Sequence, residues 1–337
     1  MAVKLGKQTW IPGKMPAIIQ TGTVVGPIEG QGPLAKWFDH VYTDPLAGER
    51  SFEHAEKEMM LNACYTALKK ADRTPESIDL FLAGDLLNQI ITSGFAALAL
   101  KIPFLGLYGA CSTSVESLVV ATALIDAGFA RSALCAVSSH NSTSERQYRY
   151  PTEYGLWRKP TAQWTVTGAG AALVADEGRG PRITRLTAGV VQDYGVKDAL
   201  NLGAAMAPAA AATLAQHFAD TGRDPGFYDL IVTGDLGKFG RQLAIELAAE
   251  RGGFDLTRNY QDCGVMLYDC ERQDVHSGGS GCACSAVVAY GYLYRRMLAG
   301  ELRRLLLCAT GALHSPTSVQ QGENIPVIAH AVSLEMI

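Results

Sequence analysis

Asp79-Leu-Phe-Leu-Ala-Gly-Asp-Leu86 and Asp229-Leu-Ile-Val-Thr-Gly-Asp-Leu236 match at five of eight positions, 150 residues apart. Each is a short apolar run closed by Gly-Asp, the form of a buried strand that ends in a turn. The match extends downstream. Ala127-Gly128 followed by Leu134-Cys-Ala136 corresponds to Ala299-Gly300 followed by Leu307-Cys-Ala309, in the same order. Similarity at a fixed spacing, inside the same succession of elements, marks an internal duplication. The chain therefore reads as two topologically similar halves, 1–180 and 181–337, with a ligand site expected between them at strand ends.

The elements around the two matches alternate. In the first half, strands are expected at Ala17–Val25, Ile78–Ala83, Pro103–Leu107, Ser132–Ser138 and Gly168–Ala175. Helices are expected from the N-cap Ser51 to about Ala71, over Leu87–Leu100 and over Val115–Ala127, the last ended by Gly128. Gln31–Arg50 and Ser139–Gln163 read as long loops. In the second half, strands fall at Ile183–Val191, Asp229–Thr233, Leu305–Ala309 and Pro326–Glu335, and helices at Ala207–Ala219, Lys238–Ala249 and Gly281–Leu298. Strands alternating with helices of this length give an α/β fold with parallel or mixed sheets covered by helices.

Composition fits that class and narrows the partners. Of 337 residues, 48% are hydrophobic and 18% charged, the reverse of a disordered chain. Mean hydropathy is +0.07. The longest apolar stretches, Gly94–Leu107 and Leu202–Ala215, are interrupted by Lys101, Pro103 and Pro208, so none reaches the roughly 20 residues of a membrane span. A net charge of −4 argues against nucleic acid as a partner. Met1–Pro16 lacks the apolar core of a secretory signal, which makes the cytoplasm the expected compartment. The eight cysteines show no C-x-x-C pair, and Cys282-x-Cys284 and Cys263…Cys270 are poor zinc spacings. The sequence implies no metal and no cofactor.

One cysteine stands apart. In Tyr108-Gly-Ala-Cys-Ser-Thr-Ser-Val-Glu-Ser-Leu118 a strand runs through two small residues into Cys111 and then a helix. Such a turn presents the sulfur at a helix N-terminus, where backbone N–H groups and the macrodipole favour thiolate. The N–H groups of Cys111 and Ser112 could line an oxyanion hole or hold a carboxylate. The alternative is a cysteine buried in a strand–helix corner. Asp85 and Asp235, at matching strand ends, read as turn formers.

With these residues in view, the chain resembles the thiolase superfamily, and its elbow resembles that of 3-oxoacyl-acyl-carrier-protein synthase III. Thr167-Gly-Ala-Gly-Ala-Ala-Leu-Val174 resembles the glycine-rich strand between the halves of that fold. His276-Ser-Gly-Gly-Ser-Gly281 resembles the thiolase loop that carries a catalytic histidine. The resemblance implies the layered αβαβα architecture and a homodimer. It also exposes departures. The synthases have a His after the strand that is Asp229–Thr233 here, and an Asn in the loop that is Gly278–Gly281 here. This sequence has Gly234-Asp235 at the first place and no Asn at the second. A condensing Cys-His-Asn set needs both groups for its oxyanions.

A narrower resemblance rests on Gly109-Ala-Cys-Ser-Thr-Ser114, Ser138-Ser-His140 and Glu145-Arg-Gln-Tyr-Arg-Tyr-Pro-Thr-Glu-Tyr-Gly155. Together they are similar to the stage V sporulation AD family of endospore-forming bacteria. That resemblance implies a non-catalytic protein that binds dipicolinic acid, as free acid or calcium chelate, during its uptake into the developing spore. It also implies work with integral membrane proteins of the same operon, at the cytoplasmic face of the spore inner membrane. The ligand is a flat aromatic dianion and needs donors for each carboxylate and a planar surface for its ring. The candidate contacts are Cys111, Ser112, Ser138, Ser139, His140, Arg146, Arg149 and His276, with Tyr148, Tyr150, Trp157, Arg158, Lys159 and Trp164 nearby. The rival reading is an acyltransferase or condensing enzyme with Cys111 as nucleophile and His276 as base.

Overall fold

The computed structural model describes residues 2–148 and 157–337. Ten strands form one continuous path: β1 Ala17–Val25, β2 Leu80–Gly84, β3 Phe104–Gly106, β4 Ser132–Ser139, β5 Gly168–Ala175, β6 Arg182–Thr187, β7 Leu230–Thr233, β8 Tyr260–Asp262, β9 Arg304–Ala312 and β10 Val327–Glu335. Their order is β8-β7-β9-β10-β6-β1-β5-β4-β2-β3. From β1 outward the first half reads β1-β5-β4-β2-β3, and from β6 outward the second reads β6-β10-β9-β7-β8. The senses match as well. β1–β5, β5–β4, β6–β10 and β10–β9 are antiparallel, whereas β4–β2, β2–β3, β9–β7 and β7–β8 are parallel. The halves join where Arg182 of β6 pairs with Ala17 of β1.

Alternation along the strands sorts side chains into layers, because successive residues point to opposite faces. On β2, Leu82 faces the central core, while Phe81 and Ala83 face an outer one. On β9, Leu305, Leu307 and Ala309 face the centre, while Leu306 and Cys308 face the other outside. Helices α1 Phe52–Lys70 and α2 Ile91–Leu100 cover the outer face of the first half. Helices α5 Leu202–Thr221 and α6 Gly237–Leu247 cover that of the second. Between the sheets lie α3 Thr113–Asp126 and a helix running from Cys282 to Leu298 through a π-helical stretch at Val288–Leu293. The result is the layered αβαβα arrangement, with the strands buried between helices except at the edge strand β3, where Leu105 is exposed. Among the described residues no helix is long and apolar enough to cross a membrane.

The repeat has a physical counterpart. Asp79 Oδ2 accepts from the Arg131 and Ser132 amides at 2.8 and 3.0 Å, holding the start of β4 against β2. Asp229 Oδ2 accepts from the Arg303 and Arg304 amides at 2.7 and 2.9 Å, holding the start of β9 against β7 in the same way. Close approach fixes the layers. A Cβ on Gly22 of β1 would lie 2.1 Å from the Ala63 carbonyl oxygen of α1, so only glycine permits this helix-to-sheet distance.

Two expectations need correction. The stretch read as a long loop from Ser139 begins with a helix, α4 Asn141–Tyr148. It buries polar residues, among them Asn141, Thr143 and Ser144, so the apolar periodicity that announces a helix is missing. The short strand β8 and the helix Cys263–Leu267 after it also had no signal, being too short for a period to register.

If Asp79 and Asp229 are equivalent strand clamps, Asp79→Ala and Asp229→Ala each lower stability by about 1 kcal/mol, measured by urea unfolding. The double variant adds the two losses, since the sites share no partner. A loss at one position and none at the other would contradict the equivalence.

Candidate functional site

Cys111 sits in a single 3-10 turn, Ala110–Ser112, between Gly109 and α3. The turn needs Ala110 in the left-handed region, at φ +50°. It is pressed against β9 of the other half. A Cβ on Gly311 would fall 2.2 Å from the Gly109 carbonyl oxygen, so the elbow can reach this depth only over a glycine. The elbow is closed by its own hydrogen bonds. Ser112 N and Oγ both donate to Gly109 O, at 3.1 and 2.6 Å, and Thr113 Oγ1 donates to Ala110 O at 2.7 Å. The Ser112 amide, expected to face a ligand, is therefore engaged within the turn.

The sulfur meets Asp235, which extends from the end of β7 across the junction of the halves. The Asp235 side chain and the Gly281 amide both lie near enough to act on the Cys111 thiol. Asp235 Oδ1 also accepts from Thr310 Oγ1 at 2.6 Å, and Oδ2 from the Gly281 amide at 3.2 Å. Burial raises the Asp235 carboxyl to about 7, although Thr310, Cys111 and Gly281 all donate to its ionised form. Burial, and then the Asp235 charge, push the Cys111 thiol well above its ordinary range. The expected activation of Cys111 at a helix N-terminus is overturned here. Cys111 is only 7% exposed, and desolvation with a neighbouring carboxylate outweighs the macrodipole.

Asp235 is thus no turn former, and it is the site residue that inspection of the sequence missed. Its repeat partner, Asp85, behaves as expected. The Asp85 carboxylate accepts from the Leu87 amide and from the amide and hydroxyl of Ser93, at 2.7–2.9 Å, and so shapes the turn after β2. The signal that separates them lies in what each faces. Asp85 meets its own following residues, whereas Asp235 meets distant residues, Thr310 and Gly281 of its own half and Cys111 of the other.

Cys111 opens onto a small cavity of about 30 Å³, bounded also by Tyr108, Ser144, Tyr148, Gly281 and His314. Several residues expected at the ligand lie elsewhere, with their polar atoms engaged in the fold. Ser138 Oγ donates to Glu56, and Ser139 Oγ to Val166 O. His140 is buried, with Nε2 on Pro45 O at 2.8 Å and Nδ1 accepting from the Ser142 amide at 3.2 Å. Burial lowers its pKa, which keeps it neutral. Arg146 pairs with Glu53 and lies over Phe52. Arg158 pairs with Asp274 and covers Trp164, and Lys159 pairs with Asp198. His276, at φ +51°, pairs with Asp274 at 3.3 Å and does not border the Cys111 cavity. Arg149 and Tyr150 lie outside the described residues. Of the candidate contacts among the described residues, the structure brings only Cys111 itself to the cavity.

The stage V sporulation protein AD family model matches residues 6–335. The chain belongs to that family. It is 48% identical to the stage V sporulation protein AD of Bacillus subtilis (strain 168) over 330 residues, 98% of this chain and 97% of that protein. Among solved structures it is similar to 3-oxoacyl-[acyl-carrier-protein] synthase III from Aquifex aeolicus VF5. The TM-score is 0.59 at 15% identity, over 95% of this chain and 99% of that one. It is also similar to Xanthomonas campestris OleA with bound lauric acid and lauroyl-CoA, with a TM-score of 0.56 at 16% identity, over 97% and 100% of the two chains. At these identities the likeness shows the fold, which is that of the thiolase-like condensing enzymes. The AD family thus places a sporulation protein on a condensing-enzyme scaffold.

The elevated Asp235 carboxyl makes a pH prediction. Its folded pKa of about 7 lies above its ordinary value of 3.8, so its contribution to stability is complete below that value and is lost as pH rises toward 7. Relative to Asp235→Asn, the wild type loses about 1.4 kcal/mol per pH unit across this window, measured by urea unfolding at several pH values. Parallel curves for the two proteins would contradict a buried, elevated Asp235.

Proposed function

We propose that this chain binds dipicolinic acid, pyridine-2,6-dicarboxylate, without transforming it, and serves its uptake into the developing endospore. The reading rests on membership of the AD family and on one observation, the Asp235 carboxylate beside Cys111. An acyl-transfer elbow needs a thiolate and donors aimed at a developing oxyanion. Here the side chain reaching the sulfur from the opposite half is an acid, which raises the thiol pKa and opposes negative charge at that spot. The elbow of the scaffold is kept while a neighbouring acid opposes its chemistry. The calcium chelate, which carries its own neutralising charge, suits walls made of hydroxyls, amides and rings.

The working assembly in this reading is a homodimer joined at the edge of the first half. β3 lies at the end of the sheet order, with one neighbour, and Leu105 on it is exposed. Beside it α2 turns Ile91, Phe95 and Leu98 outward, 45–70% exposed. An unpaired edge flanked by large apolar side chains is the kind of surface that a second copy covers. Integral membrane proteins of the same operon hold the dimer at the spore inner membrane, on the cytoplasmic face.

Calorimetric titration of the purified protein with dipicolinate, with and without calcium, is expected to show saturable binding, weakened by Cys111→Ala. A flat titration in both conditions removes the reading. Intact-mass spectrometry after incubation with acetyl-CoA is expected to show no adduct. An acyl group on Cys111 would establish the rival, an acyltransferase or condensing enzyme.

A further inference from the structure

Two cavities meet at three ring side chains. The inner one is the Cys111 cavity of about 30 Å³, a space on the scale of a water molecule. The outer one, about 340 Å³, lies between the loop Leu87–Ile90 and the segment Leu313–Ser315, and falls within the range of small-molecule sites. Tyr108, Tyr148 and His314 border both. The Tyr148 hydroxyl donates to the Leu86 carbonyl, which leaves it to accept from Tyr108 at 3.1 Å. The Tyr148 and His314 rings are 5.2 Å apart and tilted by 55°. A wall of side chains, pinned by two hydroxyl hydrogen bonds, thus divides the space.

The surroundings show a wall held against local preference. Gln147, beside Tyr148 on α4, grips the facing loop through both ends of its amide. Its Nε2 donates to Asn88 Oδ1 at 2.9 Å and to Leu86 O at 3.2 Å, and its Oε1 accepts from the Asn88 amide at 3.3 Å. The next two residues, Gln89 and Ile90, are both left-handed, at φ +56° and +48°. A β-branched residue rarely adopts that conformation, and such strain collects at ligand clamps and switch regions.

We propose that the two cavities are the outer and inner compartments of one ligand site, and that the Tyr108–Tyr148 pair is the movable wall between them. The ligand class is a small planar aromatic acid. Its ring lies against Tyr108, Tyr148 and His314, and its carboxylates meet neutral donors of the rim such as Asn88 and Ser315. Displacing the wall extends the site to Cys111. The identity of the ligand rests on the function proposed above, whereas the wall rests on the geometry alone.

Alkylation of Cys111 by iodoacetamide, read by peptide mapping, tests both parts separately. The half-buried Cys270 borders neither cavity and serves as the internal reference. Wild-type Cys111 is expected to react slowly. Tyr108→Phe removes one hydroxyl bond and raises the rate about fivefold. Tyr148→Ala opens the wall and raises it more than about tenfold, with Cys270 unchanged. Saturating dipicolinate then slows Cys111 labelling in Tyr108→Phe, which deletes a single oxygen and keeps every ring of the proposed site. Should Tyr148→Ala fail to fold, Tyr108→Phe carries the whole test. Equal Cys111 rates in wild type and variants would overturn the wall. Faster rates with no protection by dipicolinate would uphold the wall and overturn the ligand.

Discussion

A carboxylate against a thiol, both taken out of water, is the constraint on which the site depends. Asp235 can occupy its position because Thr310, Gly281 and Cys111 each donate to it. Cys111 can reach it because Gly311 lets the elbow sink onto β9. In condensing enzymes of this fold the elbow serves reaction, with partners that stabilise anions. Here the same backbone device delivers a sulfur to an acid, and Coulomb's law then works against nucleophilicity.

Duplication makes that reversal visible. Asp79 and Asp229 perform one task twice, each clamping the start of a neighbouring parallel strand through two amides. Six residues further on, Asp85 and Asp235 occupy matching places and have parted company. Asp85 organises the turn that leads to Ser93, while Asp235 crosses to the other half. The junction of the two halves is where such divergence shows, since there equivalent residues face different neighbours.

Much of the fold was legible in the residues. The matched Gly-Asp strand ends located the repeat, and alternating apolar runs located most of the strands of both sheets. The N-cap Ser51 marked the start of α1, and its side chain accepts from the His54 amide. What escaped is polar, which leaves no periodic trace. α4 hid because its buried face is made of polar residues, such as Thr143, whose hydroxyl donates to Glu56. The site was legible only at Cys111. Ser138 and Ser139 close β4 and His140 follows it, a place where ligand residues often sit, yet their polar atoms are engaged by Glu56, Val166 and Pro45. Tyr108, Tyr148 and His314 come together from separate parts of the chain, and no local spacing announces that meeting. Family resemblance supplied the scaffold correctly and could not supply the environment of its sulfur, which is set by burial first and then by Asp235.

The central claim is that Cys111 is kept as a thiol by burial and by Asp235. The direct measurement is the pH dependence of Cys111 ionisation in the intact protein, followed by residue-resolved alkylation across a pH series. The account predicts no inflection at Cys111 up to the ordinary thiol value of about 8.5, and a lower apparent pKa in Asp235→Asn than in the wild type. An inflection at or below neutral pH in the wild type would show an activated thiolate and contradict it.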